Sequence, residues 1–461
     1  MSSTTAEQSS ATGHRRLVLA VMCVGMFLVQ LDVTVVNVAL PQIGTGLHTT
    51  LQGQQWVVDG YAVVLASLLL AGGTFGDRYG HKRVVLTGLA LFGVASSVCG
   101  LAPGIATLVG GRALQGIGAA LLLPGTLAVI TRAFPDRAEQ ARAVGVWAGV
   151  SALALPAGPL LGGALVSSVG WRAVFLINLP IVVAAIPLTW RLVRETVDGK
   201  SRRLDIPGMV LSTVTLSATV YAVISAGHAG AGAAMWVAAV LAVAALVAFL
   251  GWERKAADPL LPLSLLARPA FAGANLVAAA MNLVGIGTVF VATLYLQTVR
   301  HHAAFIAGVM LLPLFVPLAA LAPVAGRLTG RFGPRLPMTA GLVIGAAGSA
   351  GLIGLTPVSG YPRILPALLL LGVGMGLLTA SVVAAAVQAV PSDRAGLASG
   401  VNNTARQAAG ALAVALYGAI AGSPTEPAAF THGLEVIGIL GCLLWLLAVG
   451  LTWLTISGQD S

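Results

Sequence analysis

Charged residues are scarce in this sequence: only 9% of its 461 residues are Asp, Glu, Lys or Arg. Soluble globular domains carry about 25% charged residues. So little charge cannot cover the surface of a globule of this size, and most of the surface must therefore face lipid. Cysteine is also rare, and Cys23, Cys99 and Cys442 all lie within apolar runs. This placement excludes a disulfide framework and a metal site built on cysteine spacing.

The sequence also lacks the motifs of common enzyme classes. It contains no G-x-x-x-x-G-K-[ST] loop, whose backbone amides would bind the phosphates of ATP. It contains no cluster of His and Cys with metal-ligand spacing. His301 and His302 are adjacent in a predicted loop, where such a pair is more often a surface feature than a metal site. We therefore expect no enzyme activity, no catalytic residue, no metal and no cofactor.

Long apolar runs occupy most of the chain. A membrane-spanning helix needs about 20 predominantly apolar residues, and fourteen runs of this kind are present. They are too long and too rich in Ala, Leu and Gly for the alternating pattern of a transmembrane barrel. We therefore predict an all-α membrane protein with fourteen transmembrane helices. The predicted spans are 17–40, 55–76, 84–102, 105–130, 143–166, 172–191, 208–227, 234–252, 271–299, 303–325, 337–356, 364–390, 396–421 and 433–456.

The basic residues fall mainly on one side of these spans. If the N-terminus is inside, 20 of the 25 Lys and Arg residues lie in cytoplasmic segments. Arg172, Arg300 and Arg363 fall outside, and Arg112 and Arg406 lie within predicted helices. By the positive-inside rule, both termini are then cytoplasmic. The net charge of +10 therefore indicates membrane orientation, and we expect no binding of nucleic acid.

A glycine-rich basic segment occurs twice between predicted helices. The first copy is G-T-F-G-D-R-Y-G-H-K-R at 73–83, and G-R-L-T-G-R-F-G-P-R at 326–335 repeats its G-x-x-x-x-R-x-G skeleton 253 residues later. Gly330 stands in the second copy where the first has Asp77. Glycines suit a turn with positive φ or a close helix contact, and we expect Gly73, Gly76 and Gly80 to serve the turn.

This segment resembles the G-x-L-a-D-r-x-G-r-k-R signature of the major facilitator superfamily, which has a degenerate echo in its second half. The resemblance implies two six-helix halves around a midplane cavity, here with an inserted helix pair between them. It also implies a cytoplasmic loop that helps to switch between inward-facing and outward-facing states. An ordinary solvated turn is the alternative. The residues expected to form this gating loop are Gly73, Asp77, Arg78, Gly80 and Arg83.

The repeat sets the expected domain boundaries. Six helices plus the inserted pair account for the offset of 253 residues between the two copies. The tail before the first span is rich in Ser and Thr, and we expect it to be disordered. The first span ends without a small-residue cleavage site, so we interpret it as a retained helix rather than a signal peptide. The predicted segments are the tail 1–16, the first half 17–191, the inserted pair with its linkers 192–270, the second half 271–456 and the cytoplasmic tail 457–461.

Ionisable residues inside a membrane cost about 2.5–3.5 kcal/mol each and are functional candidates. Asp32 lies roughly 22 Å from the inner surface at 1.5 Å per residue, and it is the first candidate for a proton carrier. A carboxylate permanently paired with an arginine is the alternative. Gln30, Thr34 and Asn37 share a neighbouring helical face and are candidates for lining a substrate cavity. The stretch from Leu31 to Pro41 resembles the L-D-x-T-x-V-N-V-A-L-P signature of fourteen-spanning drug:proton antiporters.

Two further charges lie at a similar predicted depth. Arg112 belongs to a stretch that resembles the R-x-x-Q-G-x-G signature, in which the arginine is implicated in proton transfer. Gln115 of the same signature is a candidate for lining the cavity, and an arginine that only neutralises a carboxylate is the alternative. Asp59 lies near the outer end of the second span, where a proton-coupling site and a solvated helix end are equal alternatives.

Two later stretches complete the candidate site. Asn402, Asn403 and Arg406 are neighbours on the thirteenth span, either lining the substrate cavity or joining helices. The fifth span contains two prolines and three glycines in eight residues, which predicts a kink and close helix packing. It resembles the G-P-x-x-G-G signature of antiporters and exporters in the superfamily. The residues of this predicted kink are Pro156, Gly158, Pro159, Gly162 and Gly163.

The resemblance covers nearly the whole chain and implies a drug:proton antiporter. We expect export of a hydrophobic or amphipathic drug or antibiotic across the bacterial cytoplasmic membrane, by alternating access, driven by the proton gradient. The expected partners are the drug, protons and the lipid bilayer, with a monomeric chain. A proton-coupled symporter that imports a small metabolite is one alternative, and the Gly158-Pro159 signature argues against it. A sensor or membrane scaffold is another, against which Asp32, Arg112 and Asp77 argue.

Reporter fusions test the predicted topology. Fusions after Ser201, Ala257 and Ser392 should report the cytoplasm, because basic residues surround these predicted loops. A fusion after Thr425 should report the external side. A cytoplasmic signal at Thr425, with the other three unchanged, would contradict the count of fourteen spans.

Overall fold

A computed structural model describes residues 2–134, 136–195, 204–229, 232–391 and 394–456. Every regular element within these ranges is a helix. The helices, numbered in chain order, are α1 (Ser2–Gly46), α2 (Leu51–Tyr79), α3 (His81–Gly100), α4 (Ile105–Ala133), α5 (Arg137–Ser168), α6 (Ala173–Leu176), α7 (Asn178–Leu192), α8 (Ile206–Ala229), α9 (Ala233–Glu253), α10 (Leu263–Leu266), α11 (Pro269–Leu294), α12 (Ala304–Phe332), α13 (Arg335–Ala350), α14 (Tyr361–Gln388), α15 (Ala395–Ala421) and α16 (Pro427–Thr455), with a π-helical turn at Tyr295–Val299.

Each of the predicted spans falls on helical structure, but not every helix is a clear membrane span. Within the described ranges, 12 helical stretches are long and apolar enough to cross a membrane. The two predicted spans missing from that set fall on α13 and α15. Helix α13 has only 16 residues, and α15 carries polar side chains, including Asn402 and Arg406, that lower its hydropathy. Length and composition therefore establish a multi-pass helical membrane protein without establishing the predicted count of fourteen.

The first helix begins earlier in the chain than the predicted span. Residues 2–16, expected to be disordered, form the first turns of α1. No proline interrupts the chain before Pro41, so the helix continues backward from the apolar span. Residues 457–461 of the predicted C-terminal tail, and the fusion sites Ser201 and Ser392, lie outside the described residues.

The helix pairing in the first part of the chain is repeated in the second part. The most extensive contacts join α2 to α4, α3 to α4 and α1 to α5. The corresponding pairs later in the chain are α12 with α14, α13 with α14 and α11 with α15. This correspondence is what an internal repeat of one helix bundle predicts.

Two helix pairs join the bundles to each other. Along one seam α5 packs against α12, and along the other α2 packs against α15. A Cβ on Gly163 of α5 would lie 2.7 Å from Cα of Phe305 at the start of α12. At the other seam, Nε2 of Gln55 donates to the carbonyls of Val414 at 3.0 Å and Ala415 at 3.2 Å. These contacts lie at the end of the bundle opposite the Gly80 turn, which we call the far end.

The inserted pair covers one of the two seams. Helix α8 packs against both α2 and α15, whereas α9 packs against α8. The ring of Trp56 on α2 lies 6.3 Å from that of Tyr221 on α8. Val220 and Ile224 of α8 bury their side chains in a cluster with Val63 of α2. The pair is thus attached to both bundles through a single helix.

The two glycine-rich segments form much tighter turns than expected. Helix α2 continues through Gly73 and Gly76 to Tyr79, and α3 begins at His81. Gly80 alone forms the turn, with a φ of 96° that disfavours other residues. Gly333 ends α12 in the same way, with a φ of 73°. Gly76 serves packing instead, because a Cβ there would overlap the ring of His81.

The prolines of the fifth span lie within one continuous helix, since α5 runs from Arg137 to Ser168 through Pro156 and Pro159. Its glycines serve close packing: a Cβ on Gly162 would lie 3.0 Å from the carbonyl oxygen of Val35 on α1. A Cβ on Gly158 would overlap the side chain of Thr34. The small residues therefore hold α5 against α1 on one side and α12 on the other, while the kink itself stays a prediction.

Candidate functional site

An ion pair between α1 and α4 forms the centre of the candidate site. Nη1 of Arg112 donates to Oδ2 of Asp32, and the two side chains are only 1% and 0% exposed. Nη1 of Arg112 also donates to Oε1 of Gln115 at 2.9 Å, and its Nε donates to the carbonyl of Val57 on α2 at 2.9 Å. The guanidinium is therefore held by three helices without contact to solvent.

The second carboxylate oxygen of Asp32 is held by amide groups. Oδ1 accepts from Nε2 of Gln115 at 3.3 Å and from Nδ2 of Asn178 on α7 at 3.5 Å. The same two amide nitrogens lie 2.9 Å and 3.2 Å from Oγ of Ser96 on α3, which accepts from them. Side chains of α1, α3, α4 and α7 thus meet in one buried network around the ion pair.

The sequence of α4 explains how Arg112 reaches this position. Arg112 and Gln115 are three residues apart and therefore lie on the same face of the helix. A Cβ on Gly116 would lie 2.7 Å from the carbonyl oxygen of Tyr61 on α2, and one on Gly118 would lie 2.9 Å from that of Gly88 on α3. These glycines let α4 pack closely against both neighbours, which places the guanidinium 4.4 Å from the centre of the Tyr61 ring. That distance allows a cation–π contact.

Asp59 is buried as completely as Asp32 but lacks its partners. Its side chain is 0% exposed, and neither carboxylate oxygen has a hydrogen-bond partner among the residues that the structure describes. Gln55 and Val63 lie one turn before and one turn after it, on the same face of α2. Gln55 bonds to α15, and Val63 packs against Ala411 of α15. Asp59 therefore lies in the seam between the two bundles.

The side chains of α1 that were predicted to line a substrate cavity do not belong to the hydrogen-bonded network around Asp32. Oγ1 of Thr34 donates to the carbonyl of Leu31 at 3.2 Å, and Nδ2 of Asn37 donates to that of Val33 at 2.8 Å. Thr34 and Asn37 are buried, and Gln30 is half-buried. Gln115, also predicted to line the cavity, instead belongs to the network around Asp32. The role of these residues toward a substrate stays a prediction.

The polar residues of α15 contact α11. Nε of Arg406 donates to Oδ1 of Asn282 at 3.3 Å, and Nδ2 of Asn282 donates back to the carbonyl of Arg406 at 3.0 Å. Asn402 is fully buried, and its Nδ2 donates to Oδ1 of Asn275 at 3.3 Å. Asn403 is half-buried. The structure therefore brings Asn402 and Arg406 together with two asparagines of α11.

The predicted gating residues connect the end of α2 to its neighbours. Oδ1 of Asp77 lies 3.3 Å from Nε2 of His81 on α3 and 3.8 Å from Nη2 of Arg132 on α4. Nε of Arg83 lies 3.5 Å from Oε2 of Glu195. The guanidinium of Arg78 lies 5.5 Å from the centre of the Tyr79 ring. The carboxylates of Asp77 and Glu195 thus hold this end of the first bundle together.

Three residues of the candidate site, two in the Asp32 network and one in the seam, were not singled out from the sequence. Asn178 donates to Asp32 and to Ser96 in the network. Gln55 donates to α15 across the seam between the bundles. All three are neutral polar residues in apolar stretches, and such residues are too common in membrane helices to indicate a site. One feature of the sequence could have indicated Asn178, because the W-R-A-V-F-L-I-N-L-P stretch at 171–180 that contains it resembles the major facilitator superfamily.

Comparison with known proteins agrees with this architecture. A family model described as Major Facilitator Superfamily matches residues 22–414. The chain is 34% identical over 440 residues to the Methylenomycin A resistance protein of Streptomyces coelicolor, covering 95% of this chain and 90% of that protein. It is 34% identical over 409 residues to the Tetracenomycin C resistance and export protein of Streptomyces glaucescens, covering 88% and 76%.

A solved structure shows the same fold. A peptide transporter POT in complex with sulfate matches with a TM-score of 0.71 and 14% sequence identity, covering 95% of this chain and 96% of that chain. At this identity the likeness concerns the arrangement of helices alone.

The ion pair predicts an asymmetry between single and double substitutions. Arg112→Ala or Asp32→Asn leaves one buried charge without its partner, which costs about 3–5 kcal/mol in a protein interior. Asp32→Asn combined with Arg112→Gln removes both charges and should recover much of that loss. Thermal unfolding of the purified variants in detergent measures the effect. Equal melting temperatures for both single variants and the double variant, all below the wild type, would show that the charges are not coupled.

Proposed function

Because this chain belongs to the major facilitator superfamily, we propose that it exports hydrophobic or amphipathic drugs or antibiotics in exchange for protons. The chain is a multi-pass membrane transporter and drug efflux is its activity, since relatives 34% identical over most of their length are named for antibiotic resistance and export. The observation that carries the proton coupling is the contrast between its two buried carboxylates. Asp32 has a counter-charge and Asp59 has none.

We assign proton exchange to Asp59. A carboxylate in a dry interior is costly unless it is paired or carries a proton. The charge of Asp32 is balanced by Arg112, which corresponds to the alternative of a permanently paired carboxylate. Within the described ranges no donor lies within hydrogen-bond distance of either oxygen of Asp59, so the closed seam fits its protonated form. The ionised form needs water, and water reaches Asp59 when the seam between α2 and α15 opens toward one side of the membrane or the other.

Alternating access follows from the same seam. Closure at the far end brings Gly163 against α12 and Gln55 against α15. Opening at the far end must break both sets of contacts, which would expose Asp59 to the external side and let it take up a proton. The cycle is completed when the seam opens toward the cytoplasm and Asp59 releases that proton inside. Drug binding in the cavity and protonation of Asp59 then act on one equilibrium through the states that each prefers. The Asp77 contacts connect α2 to α3 and α4, so this bundle can move as a unit.

The orientation in the membrane is part of the proposal. The turns at Gly80 and Gly333 are flanked by basic residues, among them Lys82, Arg83 and Arg335. The positive-inside rule puts such turns in the cytoplasm. The proposed protein then has fourteen spans, with α13 and α15 among them, and both termini in the cytoplasm of a bacterial cell. It acts as a monomer and uses the proton gradient in place of a cofactor.

Growth protection followed by vesicle transport tests the function. Expression in a host without its own efflux pumps should raise the inhibitory concentration of at least one compound in a panel of hydrophobic and amphipathic antibiotics. Inside-out membrane vesicles should accumulate that compound against its gradient when a proton gradient is imposed, and a protonophore should abolish the accumulation. Vesicles without the protein are the control. Accumulation by right-side-out vesicles instead would identify an importer, and no movement in either orientation would identify a scaffold.

A further inference from the structure

Arg406 lies within a predicted membrane span, and among the described residues its guanidinium has no carboxylate partner. Its Nε donates to the neutral amide of Asn282, and within the described residues no Asp or Glu oxygen lies within 4.0 Å of it. Arg112 is the opposite case, since its charge is matched by Asp32 and its side chain is 1% exposed. Of the two arginines in the membrane interior, one is therefore neutralised and the other is not.

Arg406 retains contact with solvent-accessible space. Its side chain is half-buried, and so are those of Asn403 and Gln407 on the same helix. Polar and charged side chains in the middle of a span face a cavity or a protein partner rather than lipid. Arg406 lies about 11 residues from the start of α15 at Ala395, which is roughly 16 Å at 1.5 Å per residue. From the partial exposure of these three side chains on one face of α15, we infer that they border an internal cavity near the middle of the membrane.

Helix α11 places that cavity between the two bundles. It contacts α1 of the first bundle and α14, α15 and α16 of the second, so it lies inside the molecule. Its accessible residues nevertheless include Leu276, which is 57% exposed. Ala279, Leu283 and Ile286 continue from Leu276 with helical spacing and are half-buried. Asn282, the partner of Arg406, lies beside this strip and therefore at the edge of the same cavity.

Among the described residues, no carboxylate oxygen lies within 4.0 Å of the positive charge that Arg406 contributes to this cavity. Among the described residues, the other charges deep in the bundle are Asp32, Arg112 and Asp59. Asp32 and Arg112 neutralise each other, and Asp59 is 0% exposed in the seam. A desolvated charge is stabilised by an opposite charge and by hydrogen bonds. A guanidinium in particular pairs with a planar oxyanion through two parallel hydrogen bonds, and Nη1 and Nη2 of Arg406 are not used by Asn282.

Building on the proposed export function, we propose that Arg406 is the anion-recognition residue of the substrate cavity. The preferred substrates are amphipathic acids, which carry a carboxylate or an ionised phenol on an apolar body, rather than organic cations. The anionic oxygen pairs with Arg406, and the apolar body lies against the strip around Leu276 and Leu283. Export of an anion is also favoured by a membrane potential that is negative inside, by about 2.3 kcal/mol per charge at 100 mV.

Two dyes with the same ring system and opposite charge test the proposal. Fluorescein is an anionic xanthene and rhodamine 6G is a cationic one, and their binding to the purified full-length protein can be measured by fluorescence anisotropy. The wild type should bind fluorescein about tenfold or more tightly than rhodamine 6G, since hydrogen bonds to charged groups are worth about 1.5–3 kcal/mol. Arg406→Gln should abolish the preference, and Arg406→Lys should keep most of it.

Asn282→Ala is the matched control for a purely structural role. It breaks the same contact between α11 and α15 but leaves the charge of Arg406 in place, so the preference for fluorescein should remain. The melting temperature of each variant shows whether it is folded. A preference for rhodamine 6G, equal or absent binding of both dyes, or a preserved preference in a folded Arg406→Gln variant would each overturn the proposal.

The experiments distinguish failure of the proposed export function from failure of the proposed role of Arg406. If the wild type prefers fluorescein through Arg406 but vesicles move no compound against its gradient, the cavity selects acids and the chain is not a pump. If vesicles export cations while fluorescein does not bind, the pump stands and the role of Arg406 is wrong.

Discussion

The buried ion pair between Asp32 and Arg112 is the constraint on which the rest of the site depends. Two charges that are almost fully removed from water must satisfy each other and every remaining hydrogen-bonding group. Gln115, Asn178 and Ser96 supply further hydrogen bonds around the pair, and they come from three different helices. The pair therefore does more than join α1 to α4, because its supporting side chains fix α3 and α7 around it. The glycines of α4 are the sequence feature that makes this geometry possible.

With that pair neutralised, the other charges of the membrane interior acquire distinct roles. Among the described residues Asp59 has no hydrogen-bond partner, and it lies in a seam that must open for alternating access. In the proposed cycle it takes up a proton from one side of the membrane and releases it to the other. Arg406 lies at the edge of the cavity between the bundles without a counter-charge, so it is available to a ligand. The proton site that we propose in the seam and the anion site that we propose in the cavity are separated in space, yet both would respond to the same movement of the two bundles. Coupling of this kind requires a shared conformational equilibrium and no direct contact between the sites.

The sequence predicted the positions of the helices and the charged members of the site, because both depend on strong local signals. A charge within an apolar run, such as Asp32 or Arg112, is expensive enough to indicate a function by itself. Neutral partners such as Asn178 carry no such signal, and only the folded structure shows that they point toward Asp32. The glycine-rich turn was predicted too wide, because glycine serves both positive φ and close packing. Gly80 serves the first purpose and Gly76 the second, which depends on the neighbouring His81 ring. The pairing of Asp32 was open for a similar reason, since depth along two separate helices does not fix their lateral distance.

The central claim is that Asp59 carries the exchanged proton while Asp32 stays paired with Arg112. Drug-induced proton release from the purified protein tests it most directly. The compound identified by growth protection is added to the protein in weakly buffered detergent solution, and the pH change is recorded with a glass electrode. The wild type should release protons on binding, and Asp59→Asn should bind the compound without releasing any. Proton release by Asp59→Asn equal to that of the wild type would contradict the account.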